Sequence, residues 1–372
     1  MWRRLGLSLL VIVIFLGCMP STLYRLIVEV APDQIIAEAA NNRNDSVLQA
    51  ALIQARSTFS KSKTNFARHF QKVYHQLYPQ GRLTDAFTDL VMAKRPGVKV
   101  SEKVVIVLLE EQLKQATQKA LNVLQQRLLN YDIKGAQLKI VEGSTQIELK
   151  VPGVAYPSRL KRVLLKVGKL EFWRVYDLKE CYEGVMTLAK GLNTKTKTVL
   201  NIKRNRLIVQ VSDTAIVNQV LKNETYRKGF PAHTMFLWQH KPNKTGELWL
   251  YMIKGNAQKK APLSGETLAT VKGQMSNYNQ PCVTFSLNSE GAGKWAKLTR
   301  ENLLKRIAIS LDGKVLLAAL VQSEITSGRG EISGNYTLEE TKQLAQLLKT
   351  GALPTSLRLV LEDVVGPTKS KD

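Results

Sequence analysis

The sequence predicts an α+β protein in which one folded unit is set into another, behind an apolar amino-terminal segment. Three observations carry that prediction. The hydrophobic period changes from 3.6 to 2 near residue 136. A strand pattern returns at 357–365, long after the first unit has been interrupted. The chain also opens on an uncharged run, "LGLSLLVIVIFLGCMPSTLY", from Leu5 to Tyr24.

That opening run follows Arg3 and Arg4. As a helix it would reach about 30 Å, enough to cross a bilayer once. Positive residues stay on the cytoplasmic side, so everything after Arg25 is expected outside the cytoplasm. The expectation is one amino-terminal membrane anchor over residues 1–24. Two alternatives place the body in the same compartment: lipid attachment at Cys18, which ends "FLGC", and a cleaved leader with a short apolar core.

The elements follow in order. "LYRLIVEV" (23–30) is rich in strand formers, and 45–78 reads as helical until Pro79 and Gly81 close it. A long helix is predicted over 108–133, with Leu113, Ala116, Ala120, Leu124 and Leu128 on one face. "AQLKIVE" and "QIELKVP" then alternate apolar and polar residues around "GST", a hairpin signal. Pro152-Gly153 breaks the strand, 158–167 supplies a helix, and "KLEFWRVYDL" (169–178) another strand. Helix, hairpin, helix and strand at this spacing predict a ferredoxin-like sandwich. Its missing strand is assigned to "LRLVLEDVV" (357–365), which makes the middle of the chain an insertion.

Within that insertion, "SGETLATVKGQMS" (264–276) reads as a capped helix, "CVTFSLNS" as a strand and "EGAGKWAKLTRENL" as a helix. "KRIAISLDGKVLLAALV" reads as a hairpin turning at Asp312-Gly313. Thr337 and Glu340 form a capping box ahead of an apolar stripe at Leu338, Leu344, Ala345 and Leu348. Gly351 is placed to take the left-handed conformation that ends this helix, and Pro354 prevents its continuation.

Composition narrows the function. The formal net charge is +24 over 372 residues, but the cations are spread along the whole chain. No basic helix interleaved with aromatics is present, so nucleic acid is not the expected partner and a generally basic surface is. Cys18, Cys181 and Cys282 lack metal-ligand spacing, and nothing in the sequence fixes a Cys181–Cys282 bridge. His69 and His75 are too far apart around a helix to share a metal ion, and His233 and His240 add no motif. "GAGKW" (291–295) lacks phosphate-loop spacing, while Ser289-Glu290 and Glu339-Glu340 suit helix starts. No catalytic residue, metal or cofactor is expected.

Several ordered motifs resemble the first periplasmic (P1) domain of SecD and of fused SecDF. They are "ALNVLQQRL", "IELKVPGV" and "PSRLKRVLLKVGKLEFWRV", then "VTFSLNSEGAGKWAKLT", "IAISLDGKV", "ITSGRGEISGNYTLEE" and "LLKTGALPTSLRLVLEDVVGP". The likeness runs from about residue 110 to 367. It implies an amino-terminal strand and helical insertion at 25–107, a base at 108–178, an inserted α+β head at 179–335, a return of the base at 336–366 and a polar tail at 367–372.

The resemblance further implies an auxiliary subunit of the Sec translocon, in the bacterial inner membrane with one span and most of the chain periplasmic. Its head would capture unfolded exported polypeptide, and a swing of the head coupled to proton flow would draw that chain outward. Gly328, Gly330 and Gly334 are then candidate hinge residues, with a static turn as the alternative. Phe230, Phe236, Trp238 and Trp249 are candidate client-binding aromatics, with head core as the alternative.

Three departures from the family stand out. The Gly-Leu-Asp-Leu-x-Gly-Gly pattern is replaced by "CMPSTLYRL", and Ala318-Ala319 occupies the place of the family's Ala-Pro. After "VGPTKSKD" there are no further spans, so proton coupling is expected from another chain, a SecF-like or multi-span half. A free-standing anchored holdase and a decayed fragment are the other readings.

Overall fold

The computed structural model describes residues 22–59, 65–153, 156–196, 201–203 and 206–365. Cys18 and nearly all of the expected anchor lie outside these residues. Among the described residues, no helix is long and apolar enough to cross a membrane.

Strand β1 (Leu23–Val30) leads into α1 (Pro32–Ala39), α2 (Ser46–Thr58), α3 (Phe66–Leu77), α4 (Leu83–Ala86) and α5 (Thr88–Lys94). The long helix α6 (Glu102–Asn130), the hairpin β2 (Gln137–Ile140) and β3 (Gln146–Pro152), and α7 (Pro157–Leu165) follow. Next come β4 (Leu170–Arg174), α8 (Tyr182–Thr196), β5 (Asn201–Lys203), β6 (Arg206–Gln210), α9 (Thr214–Lys222) and α10 (Glu224–Arg227). Strands β7 (Thr234–Gln239), β8 (Glu247–Lys254), β9 (Leu263–Ser264), β10 (Leu268–Met275) and β11 (Pro281–Leu287) precede α11 (Ser289–Arg300). The chain closes with β12 (Arg306–Leu311), β13 (Lys314–Leu320), β14 (Arg329–Ser333), α12 (Leu338–Lys349) and β15 (Leu357–Val365).

The first unit, the base, is built on an antiparallel sheet of order β15-β1-β3-β2. With α6 and α7 this is the ferredoxin-like β-α-β-β-α-β arrangement, interrupted between α7 and β15. Its core takes alternate residues of β1 (Tyr24, Leu26, Val28 and Val30), as the period of two requires. The five α6 residues expected on one face are all buried. Tyr24 belongs to the sheet and donates its hydroxyl to Glu362 (3.0 Å), so the folded base begins inside the run read as an anchor.

Glu148 of β3 is the charged centre of this sheet, its side chain only 5% exposed. It accepts from Arg25 Nε (2.7 Å) and pairs with Lys139 Nζ (3.1 Å). The hydrogen bonds from Lys139 and then Arg25 hold its carboxyl below the usual carboxylate range. A depressed folded-state pKa adds stability above the unfolded value, about 4.3, and that stability is lost as pH falls through the folded value. Glu148→Gln is therefore expected to flatten the acid limb of the unfolding midpoint measured in urea from pH 6 to 2. An acid limb as steep as the parent's would refute the assignment.

The head differs from its sequence reading in three places. First, "KLEFWRVYDL" does not join the base: β4 pairs with β12 in an eight-stranded sheet of order β5-β6-β8-β7-β13-β12-β4-β9. Phe172 is the reason, being wholly buried against Phe285 and Trp295 of the head. Second, 264–276 is not a helix but β9, a short turn and β10. Thr267, Thr270 and Val271 are β-branched, and Gly273 stands where a Cβ would lie 2.5 Å from the Thr341 carbonyl of α12. Third, α12 is not rooted in the base. Its Ala345, Leu347 and Leu348 pack into the head core with Val271, Val283 and Phe285.

Other predictions hold. Asp312 and Gly313 both take positive φ (50° and 76°) between β12 and β13, as a two-residue hairpin turn needs. The capping box is formed, with Glu340 N donating to Thr337 Oγ1 (3.2 Å) and Thr337 N to Glu340 Oε2 (2.9 Å). Gly351 has φ 77°.

Candidate functional site

The head is tied to the base by two crossovers, residues 166–169 between α7 and β4 and residues 350–356 between α12 and β15. They run side by side, and Leu353 N donates to Val167 O (2.9 Å). Each contains a glycine in the left-handed region, Gly168 (φ 80°) and Gly351 (φ 77°). At Gly168 space also matters, because a Cβ would sit 3.3 Å from both Arg127 Nη2 and Leu347 Cδ1.

Arg127 of α6 sits beneath both crossovers and is fully buried. It lies between Leu124 and Leu128 on the apolar stripe of its helix. Its Nη1 donates to Leu164 O (2.5 Å) and Lys166 O, and more weakly to Val163 O (3.4 Å). Nη2 donates to Val167 O (3.1 Å) and Gly351 O (3.4 Å), and Nε to Thr350 Oγ1 (3.4 Å). A single guanidinium thus collects carbonyls at the end of α7, where the helix dipole favours a cation, together with the Thr350 hydroxyl and Gly351 carbonyl that follow α12. Burial pulls its pKa down to about 10, which leaves it charged at neutral pH.

The head grips the first crossover from its other side. Asp312 accepts from Gly168 N (3.2 Å) and Lys169 N (2.7 Å), and its own N–H donates to Lys169 O (3.0 Å).

Above this joint a cleft of about 1120 Å3 opens between base and head. Lys119 and Val123 of α6 form one wall, residues 268–272 of β10 the other, and residues 348–352 part of the lining. Among the described residues β10 is an edge strand, hydrogen-bonded within its sheet to β11 alone. Among the described residues one ion pair crosses the cleft, Lys119 Nζ to Glu266 Oε1 at 2.6 Å, with side chains 48% and 69% exposed. At that exposure it is worth little, on the order of 0–1 kcal/mol.

The candidate hinge glycines lie elsewhere. Gly328 and Gly330 flank or occupy β14, inside the head, and each has a packing reason to be glycine. A Cβ at Gly328 (φ 65°) would approach Ala292 Cβ at 2.7 Å, and one at Gly330 would enter the Phe285 ring at 2.3 Å. Gly334 precedes α12, also within the head, and faces the Tyr336 ring. The chain passes between units at Gly168 and Gly351 instead. Gly351 was read as a helix terminator, whereas Arg127 was missed, although a lone cation within an apolar stripe is a signal that could have found it.

The four candidate aromatics do not form one surface. Phe230 is buried and meets Phe236 edge-on at 4.9 Å, and Phe236 and Trp238 pack on the core beneath α8 and α9. Trp238 Nε1 donates to Asn218 Oδ1 (2.9 Å). Trp249 lies in a different cluster, with Tyr251, Trp173 and Val175. The period of two along β7 and β8 sends these side chains to opposite faces.

Cys181 and Cys282 are both buried free thiols, Cys181 in the core beneath α8 and α9 and Cys282 on β11. His69 meets the Thr58 hydroxyl, and His75 meets Glu102 at 2.9 Å.

Known proteins resemble this chain both in part and along most of its length. Residues 251–355 match the family described as SecDF, P1 head subdomain. The chain is 28% identical over 383 residues to protein translocase subunit SecD of Rhodothermus marinus, covering 91% of this chain and 60% of that protein. It is 35% identical over 174 residues to SecD of Aquifex aeolicus, covering 46% of this chain and 33% of that one. Among solved structures, a SecDF described as a membrane component that enhances protein export aligns with 66% of this chain and 92% of its own, at 22% identity and a TM-score of 0.43.

Proposed function

We propose, from the premise that this chain is a SecD/SecDF-type P1 region, that it serves protein export by holding extended segments of exported polypeptide in the cleft between base and head. The observation that carries the proposal is the free edge of β10 along that cleft. An edge strand offers unpaired N–H and C=O groups that pair with any extended backbone, whatever its side chains. Export clients share a backbone and little else, so such an edge suits them better than a shaped pocket. The surplus of positive charge adds attraction for acidic clients.

The body acts outside the cytoplasm, at the inner membrane beside the translocon channel. The outer edge of β15 leaves Leu359, Val360 and Val364 exposed (47%, 49% and 54%), an apolar surface suited to a SecF-like partner. No catalytic chemistry is assigned to the region.

The test is photo-crosslinking from position 269 in β10 to a stalled export substrate in membranes, with position 53 on the outside of α2 as the comparison. Residues Ala269 and Ile53 are both exposed, so a probe at either site is accessible. Adducts from 269 well above those from 53 are expected. Equal yields at the two sites would overturn the reading.

A further inference from the structure

We propose that Arg127 is the positioning residue of the joint, setting the orientation of the head on the base by holding both crossovers at once. Its acceptors are Val163 and Leu164 at the end of α7, Lys166 and Val167 on the first crossover, and Thr350 and Gly351 on the second. No other buried side chain is recorded bridging these two segments among the described residues. Asp312 touches only the first crossover and belongs to the head.

The physics of the arrangement is asymmetric. Any tilt that separates the crossovers strips acceptors from a buried guanidinium, whose hydrogen-bonding partners among the described residues are carbonyls and one hydroxyl. A buried charge that loses its partners is far costlier than an exposed one. Small tilts therefore meet steep resistance, although the glycines on both crossovers give the backbone freedom to turn. Arg127 holds one orientation, and release of the head requires that all its bonds on one side be given up together. This holds whether or not the cleft takes polypeptide.

Lysine is the informative substitution. It keeps the charge and the stem but replaces a planar fork of five donors with a single ammonium, which cannot span both segments. The experiment uses the full chain with Cys18→Ala, Cys181→Ala and Cys282→Ala, and spin labels at Gln115→Cys on α6 and Ala269→Cys on β10. Pulsed electron resonance reads the distance across the cleft, and hydrogen exchange is followed in β1, β3, β11 and β12. With Arg127 in place, a single narrow distance is expected. With R127K the distribution should become roughly twofold wider, while exchange in all four strands stays slow. A narrow distribution in R127K would overturn the proposal. So would broadening that appears only with accelerated exchange in those strands, because Arg127 would then support folding and not orientation.

Discussion

Truncating Phe172 to alanine is expected to destabilise the head by about 3–5 kcal/mol while leaving the base folded. The side chain is fully buried and meets Phe285 at 5.6 Å and Trp295 at 5.4 Å, both edge-on. Its removal would leave a cavity between β4, β11 and α11, and the edge-to-face contacts would be lost as well. Hydrogen exchange should accelerate in β11, β12 and β13 before β1 and β3 are affected. The outcome discriminates between two placements of "LEFWR". Loss of protection in the base sheet at the same denaturant concentration would return β4 to the base.

The second large effect is expected from Arg127→Met. Methionine fills much of the space but donates no hydrogen bond, so the end of α7 and both crossovers lose a donor. A buried acceptor left unsatisfied costs about 1–3 kcal/mol, partly offset because a buried charge is removed too. The net loss should be about 2–4 kcal/mol. It should appear in both units together, since the residue belongs to α6 of the base and its acceptors include Thr350 and Gly351, which directly follow α12 of the head. Unfolding in urea, followed by tryptophan fluorescence for the head and circular dichroism for the helical base, would show two shifted transitions. A shift confined to either unit would contradict a joint shared by both.

These two residues also show where sequence reasoning reached its limit. Phe172 was legible as a strand residue, since "LEFWR" is built from strand formers, but its sheet was assigned by proximity in the chain. β4 follows α7 by a few residues, yet it pairs with β12, more than 130 residues later. No local signal distinguishes the two, because strand propensity records a pleated backbone and says nothing of its partner. α12 shows the same limit. Its capping box and terminating glycine were read correctly, but its buried face was assigned to the wrong unit. The reading of 264–276 as a helix failed for a different reason. A serine followed by a glutamate resembled a helix start, while Gly273 carried a tertiary demand, the close approach of α12, that cannot be seen from its neighbours.

The amino-acid order by itself determined what forms within a few residues: the caps at Thr337 and Gly351, the Asp312-Gly313 turn, the apolar stripe of α6 and the β2–β3 hairpin. Each depends on hydrogen bonds or sterics between near neighbours, so the residue types and their spacing are sufficient. Only the tertiary structure decided which sheet receives β4, which core receives α12, and that Arg127 joins residues up to 224 positions away. Those outcomes depend on the packing of surfaces that are distant in the chain. A buried guanidinium finds its partners only once two helix ends have been brought together over it.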